Sequence, residues 1–315
     1  MALRADRVEE LQGILAFATI FLQSPNVFVG LGWRLRGIEG PETMASQKPL
    51  ILLTNDDGIF SEGLQANEEV LAELGEIFVV APDRERNANS HTITLRSPIY
   101  VQPEGERRFS TTGTPSDCVN IAVHRLLPRR PDLLVSGINK GGNLAEDVTY
   151  SGTVGAAMEA TLLQIPSMAV SLAASKDFLF LPAALASLEL ARWILKHGLP
   201  SATLLNVNVP NILDGSPLKM RWTRLGQKFY GDFLEEGIDE KGLRFFSYGR
   251  DTLRYVEEED TSNLDWMAVR EGFISLTPLR LDLTDTQFLQ SRKRVGAEGV
   301  TAGQAGAGTA PEEDG

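Results

Sequence analysis

The chain has one cysteine and three histidines, and its positive charges are outnumbered; each shortage closes off a class of function. A single thiol, Cys118, permits no internal disulfide, so a reducing cytoplasm suits the protein. Cys118 falls in a helical stretch and reads as a small core residue rather than a nucleophile. His91, His124 and His197 lack zinc-ligand spacing, so a metal site here is to be built from oxygen donors. With 30 Lys and Arg against 42 Asp and Glu, the net charge is −12. That balance argues against nucleic acid held on a broad basic surface, though not against a small anion in a local site. The apolar stretch Gly13–Leu22 falls short of the roughly 20 residues that span a membrane. Glu9 and Glu10 precede it and no small-residue cleavage site follows, so neither a membrane span nor a signal peptide is expected.

The remainder is an ordinary globular composition, 43% apolar and 23% charged over 315 residues, enough for one large or two modest domains. The organising stretch is Ile51-Leu52-Leu53-Thr54-Asn55-Asp56-Asp57-Gly58, a buried-strand pattern that stops at two adjacent carboxylates and a glycine. Further strands are expected at Ile77–Ala81, Leu133–Val135, Ser167–Ser171 and Leu204–Val209. Helices are expected at Ser61–Leu74, from Thr114 through Leu126, at Gly152–Leu163 and at Pro182–His197. Thr114-Pro115-Ser116-Asp117 carries a cap, a first-position proline and an acidic third position. Ile99–Val101 and Arg107–Thr112 suggest a short antiparallel pair. Strands alternating with helices predict an α/β fold, a Rossmann-like, doubly wound and mostly parallel sheet.

Around this core, residues 1–47 form an N-terminal extension expected to be dispensable, with Met44 as the natural start. Residues 48–210 form the catalytic core. Residues 211–291 form a C-terminal hairpin and oligomerisation region, with a hairpin excursion at Arg221–Leu225 and Gly242–Tyr248 and a late strand at Phe273–Leu279. Glu257–Asp260 reads as a solvated acidic loop. Residues 292–315, rich in Gly, Ala and Glu, are expected to be disordered.

Three strand ends deliver polar groups to one edge of such a sheet, where open α/β sheets place their ligands. The first supplies Asn55, Asp56 and Asp57. The second supplies a loop with Asp83, Arg86, Asn87, Asn89, Ser90 and His91. The Leu133–Val135 strand supplies Ser136, Asn139 and Asn143. Carboxylate and amide oxygens are the donors a hard divalent ion prefers. Ser151-Gly152-Thr153 opens a helix, where hydroxyls and free backbone N–H groups suit an anion. A cation beside an anion-binding helix end is the arrangement phosphoester hydrolysis needs.

The sequence resembles the survival protein E (SurE) nucleotidases in Thr54–Gly58, Val80–Arg84, Gly113–Val119, Val135–Asn139, Tyr150–Val154, Leu205–Pro210 and Ala268–Leu279. The stretches keep that family's order from about Pro49 to Asp285. The resemblance implies a metal-dependent hydrolase that releases phosphate from nucleoside monophosphates as a 5′-nucleotidase. 3′-Nucleotidase and exopolyphosphatase activities are further candidates. It implies one divalent cation, Mg2+ or Mn2+, at Asp56, Asp57, Asn87 and Asn139, with Asn87 standing where serine is expected. Asn143, Ser151, Gly152 and Thr153 are implied to bind phosphate, and Asp57, Ser151 and Thr153 to be catalytic. Whether Asp57 acts as general base or the metal alone activates water stays open. The expected assembly is a homodimer or homotetramer, and the partner a small nucleotide. A dinucleotide-dependent oxidoreductase on the same fold lacks its Gly-x-Gly-x-x-Gly turn here, and Asp56-Asp57 would repel a pyrophosphate. A non-enzymatic nucleotide-binding regulator is the other alternative.

Overall fold

A computed structural model of the chain describes residues 48–212, 219–230, 234–248, 253–256 and 263–295. The N-terminal extension 1–47, the acidic run Glu257–Asp260 and residues 296–315 therefore lie outside the described residues. The chain divides into two compact units, residues 1–281 and 282–315.

The first unit opens with β1 (Leu50–Thr54), α1 (Glu62–Leu71) and β2 (Glu76–Pro82). An antiparallel pair follows, β3 (Val101–Gly105) and β4 (Arg108–Thr111), then α2 (Pro115–Ile121) and β5 (Leu133–Lys140). Next come α3 (Gly152–Leu162), β6 (Ser167–Ala173), α4 (Phe180–His197) and β7 (Thr203–Pro210). The last part contributes β8 (Met220–Trp222), β9 (Lys228–Tyr230), β10 (Leu234–Ile238), β11 (Arg244–Tyr248) and β12 (Leu253–Tyr255). It closes with α5 (Asp265–Arg270) and β13 (Ile274–Arg280). In the second unit α6 spans Thr286–Val295, so the stretch expected to be disordered from residue 292 begins within a helix.

Among the described residues nine strands form one sheet in the order β3-β4-β2-β1-β5-β6-β7-β13-β8. β4, β2, β1, β5, β6 and β7 run parallel, while β3 and β13 run against their neighbours β4 and β7. The fold is thus α/β with a mostly parallel sheet. β1 is buried along its whole length because both faces are covered. Ile51 and Leu53 pack with Leu64 and Leu71 of α1 and Ala184, Leu188 and Ile194 of α4. Leu50 and Leu52 face Cys118 and Val119 of α2 and Val154, Ala157 and Ala160 of α3. No helix among the described residues is long and apolar enough to cross a membrane.

Three expectations need correction. The strand expected at Leu133–Val135 runs on to Lys140, with an irregular register between Gly137 and Asn139. Gly137 has φ 127°, and a Cβ there would collide with the Val170 carbonyl oxygen, so only glycine lets β5 continue. The helix expected from Thr114 to Leu126 is α-helical only to Ile121 and widens into a π turn at Ala122–Leu126. Arg221–Leu225 was expected in a hairpin excursion, yet Met220–Trp222 joins the main sheet parallel to β13, while β10 and β11 form the hairpin. Local alternation cannot say which sheet a three-residue strand joins, because that is decided by a partner far along the chain.

Candidate active site

β2 and β5 lie on opposite sides of β1, so the chain winds away from β1 in both directions. Such a switch point leaves a crevice at the carboxyl ends of the strands, and ligands bind there. Asp56 and Asp57 follow β1 into that crevice. Asn55 fixes the turn: its side-chain oxygen accepts from the Gly58 N–H, and its amino group donates to the Gly58 carbonyl and to Ser61 Oγ.

The two carboxylates are held differently. Asp56 is 4% exposed. It receives the Thr153 backbone N–H on Oδ2 at 3.1 Å and the Thr153 hydroxyl on Oδ1 at 2.5 Å. Burial pushes its pKa up to about 6; the Thr153 hydroxyl opposes this and the charge of Asp57 adds to it. Asp57 is more open and accepts the backbone N–H of Lys140, the residue after Asn139, at 3.1 Å. Its pKa is also raised, first by burial; the bond and charge of Lys140 oppose this, and the Glu85 charge reinforces it.

The loop after β2 is carried to the same place. The Arg86 N–H donates to the Asp56 carbonyl at 2.7 Å. Asn87 donates its side-chain N–H to the Glu85 carboxylate. Farther along, the Ser90 hydroxyl donates to the Thr149 carbonyl, and His91 pairs with Glu159 of α3 at 2.6 Å. A side chain at Gly155 would strike the Ser90 carbonyl, so this glycine lets the loop lie on the helix.

Asn139, the penultimate residue of β5, donates its amino group to the Gly141 carbonyl at 2.9 Å, which leaves Oδ1 free to face a cation. Asn143 is buried and anchors the loop: its side chain donates to Ser171 Oγ, its N–H to Asn208 Oδ1, and its carbonyl accepts from Asn206 and Asn208. Ser151 caps α3 by accepting the Val154 N–H. Ser136 pairs with Thr54 at the end of β1 but is wholly buried within β5, so it is not open to the crevice as expected.

Asp56, Asp57, Asn139 and Asn87 carry oxygen donors of the kind a hard divalent cation prefers. A cation there would offset both the burial of Asp56 and its repulsion with Asp57. Among the described residues no group of three or more His, Cys, Asp or Glu is placed to hold a metal. A cation would therefore rely on two carboxylates, amide oxygens and water, which is how magnesium is often held.

Sequence reasoning overlooked Glu85 and Asp265. Glu85 stood in view within Asp83-Arg84-Glu85-Arg86-Asn87, but no spacing rule says which charge of an exposed loop comes near Asp57. Asp265, buried, accepts N–H groups from Ala145, Gly226 and Trp266 at 2.8 to 2.9 Å. It thereby ties the loop after β5 to α5, a long-range contact with no local signature.

The profile described as Survival protein SurE matches residues 51–232. The 5′-nucleotidase SurE of Geotalea daltonii is 44% identical over 245 residues, 78% of this chain and 98% of that protein. The 5′-nucleotidase SurE of Syntrophotalea carbinolica is 45% identical over 249 residues, 78% and 96% of the two chains. The crystal structure of the Sure protein from Aquifex aeolicus aligns with a TM-score of 0.69 at 37% identity, covering 78% of this chain and 99% of that one.

Proposed function

Because the chain belongs to the Survival protein SurE family, we propose that it is a 5′-nucleotidase, releasing phosphate from nucleoside monophosphates with the help of one divalent cation, Mg2+ or Mn2+. The observation that carries the reading is the pair Asp56 and Asp57 at the β1/β5 switch point, with the first turn of α3 against Asp56. Asp56, Asp57, Asn139 and Asn87 would hold the cation, which supplies Lewis acidity toward a phosphoryl oxygen.

The protein's own groups divide the remaining work. Ser151 accepts from Val154 and keeps its hydroxyl proton for a phosphate oxygen, while Gly152, lacking a Cβ, lets the Asp56 carboxylate lie close against the helix start. The helix end favours the anion electrostatically. Thr153 spends its hydroxyl on Asp56 and so fixes that carboxylate. Asp57, the more open of the pair, accepts the proton of the attacking water as the water oxygen bonds to phosphorus and the bond to the nucleoside oxygen breaks; that oxygen takes a proton from solvent, and Asp57 returns its own to solvent. 3′-Nucleotides and short polyphosphates present a similar terminal phosphoryl group and are candidate substrates. Exposed Leu234, Ile238 and Phe246 on the β10–β11 hairpin support association with further copies of the chain. The single buried thiol suits a cytoplasmic setting.

The test is phosphate release from AMP before and after treatment with a chelator, followed by return of Mg2+ or Mn2+. Loss and recovery of turnover are expected. Turnover that survives exhaustive chelation overturns the metal-dependent reading, and no turnover with any nucleoside monophosphate overturns the nucleotidase reading.

A further inference from the structure

We propose that a cavity beside the candidate centre, backed by the stacked rings of Tyr255 and Trp266, receives the nucleoside part of the substrate, with its base stacked on Tyr255. The inference rests on the nucleotidase reading above and adds to it where the leaving group sits.

The cavity holds about 600 Å3 and is floored by Gly142, Ala173 and Ala174. That volume falls in the range of about 300–1,000 Å3 usual for small-molecule sites. Its floor lies at the carboxyl ends of β5 and β6, while the carboxylates and Asn139 lie at the ends of β1 and β5. Neighbouring strands are about 4.8 Å apart, so the floor sits one to two strand spacings, roughly 5–10 Å, along the same edge. That offset suits a base joined through a sugar to a phosphate at the carboxylates.

The walls suit a flat, weakly polar group. Glycine and alanine on the floor leave the space open. Tyr255 and Trp266 stack with centroids 4.9 Å apart and planes 9° from parallel. Trp266 is buried at 4% exposure and backs Tyr255, which is 36% exposed. Two stacked rings form a stiffer platform than one, and every nucleobase has a π face to lay on it. Lys228 Nζ sits 2.6 Å from Asp147 Oδ2 and lies over the Tyr255 ring, 5.7 Å from its centroid, while Arg270 adds a second cation to the wall; both are donors for the acceptor atoms of a base or ribose. Burial, with help from Asp147 and Asp265, pushes the Tyr255 phenol up to about 12, so it stays a neutral donor.

The cavity and the chemistry also share their supports. Asn143, next to the floor residue Gly142, is anchored on β6 and β7. Asp265 ties Ala145 of the same loop to Gly226 and to Trp266 of the wall.

The probes are adenosine, AMP, glycerol 2-phosphate and inorganic phosphate. Adenosine binding, followed by calorimetry and by tryptophan fluorescence, is expected in the natural chain and should weaken about ten-fold in Tyr255→Leu. The ratio of kcat/KM for AMP to that for glycerol 2-phosphate should fall by a similar factor. Ala174→Leu, which fills the cavity from another of its lining residues, should lower the same ratio and gives the answer if Tyr255→Leu does not fold. Adenosine binding that neither substitution weakens overturns the proposal, as does an equal loss on both esters. Inorganic phosphate competing with adenosine for the cavity in the absence of divalent metal also overturns it, because the site is then an anion site. Adenosine binding without AMP hydrolysis would leave the cavity assignment standing and remove only the nucleotidase reading. Ester hydrolysis without adenosine binding would do the reverse.

Discussion

Thr153 donates twice to Asp56, through its backbone N–H to one carboxylate oxygen and through its hydroxyl to the other. The first turn of α3 thus holds a carboxylate of the protein itself. A helix N-terminus favours negative charge, and two hydrogen bonds to the ionised form oppose the burial that raises this group to about 6. The helix end expected to bind substrate phosphate therefore also sets the position of a proposed metal carboxylate. The two halves of the site are joined at one residue.

Thr153→Val keeps the shape and the backbone N–H but removes the hydroxyl. A hydrogen bond to a charged group is worth about 1.5–3 kcal/mol, so the metal concentration for half-maximal phosphate release should rise about ten-fold or more. Thr153→Ser should stay near the natural value. A metal titration of both variants checks this, and an unchanged midpoint in Thr153→Val would separate Asp56 from the metal.

Asp57→Asn should lose at least about 10²-fold in turnover at saturating metal, because both a charged ligand and the proton acceptor go. Asp57 is only partly buried at a strand end, so the thermal midpoint should hardly move. Near-normal turnover with an intact fold would remove Asp57 from the mechanism.

Most of the sheet was legible because its signals are local. Leu50–Leu53 is an unbroken apolar run closed by polar residues, and Thr114 with Asp117 forms the capping box that its spacing suggests. Ser61 caps α1, and Gly198 ends α4. What stayed hidden depends on partners distant in sequence. Met220–Trp222 becomes strand only against β13, more than fifty residues on. Lys140 belongs to β5 because Gly137 tolerates a turn of the backbone that its neighbours could not. In the site, Asp56, Asp57, Asn139 and the start of α3 were visible as strand and helix ends. Glu85 acting on Asp57, and Asp265 bridging three segments, were invisible because charge and burial reveal themselves only once the loops have closed.

Asp265→Ala should be among the more damaging substitutions away from the proposed metal ligands. It leaves the N–H groups of Ala145, Gly226 and Trp266 without their acceptor. Each orphaned buried donor costs about 1–3 kcal/mol, so a loss of about 3 kcal/mol or more is expected in urea unfolding. Asp265→Asn keeps one acceptor oxygen and should cost less. Equal stability of Asp265→Ala and the natural chain would contradict the anchoring role.

Acid should loosen the loop after β2 from α3. The hydrogen bond from His91 holds the Glu159 carboxyl below its ordinary value of 4.5, helped by Asn120 and the His91 charge and opposed by burial. A depressed folded-state pKa means that the unfolded chain takes up the proton first. The stabilisation from Glu159 is therefore complete above about 4.5 and fades as pH falls through the lower folded value. Unfolding free energies across that window should slope less steeply in Glu159→Gln. Identical slopes would show that the pair carries no linkage.

Asn87 is where the chain departs from the serine its family resemblance leads one to expect, and its geometry suggests why an amide works there. Its amino group donates to Glu85, whose charge in turn raises Asp57. The same residue can thus quiet a carboxylate that crowds the site and offer its own oxygen to a cation. Asn87→Ala removes both contributions. Losing a neutral ligand worth about 1 kcal/mol should raise the metal midpoint about five-fold, with a smaller effect at saturating metal. Asn87→Ser restores a hydroxyl oxygen that can reach the ion directly or through water, and should recover much of the loss. Glu85→Gln separates the two contributions, because it removes the charge while sparing the oxygen of Asn87. If Asn87 acts as a ligand, Glu85→Gln should leave most of the metal affinity in place, and adding Asn87→Ala to it should still weaken binding. If Asn87 acts only by restraining Glu85, the double variant should match Glu85→Gln alone. Four metal titrations distinguish the two cases, and a double variant no weaker than Glu85→Gln would send the search for the fourth ligand elsewhere in the loop.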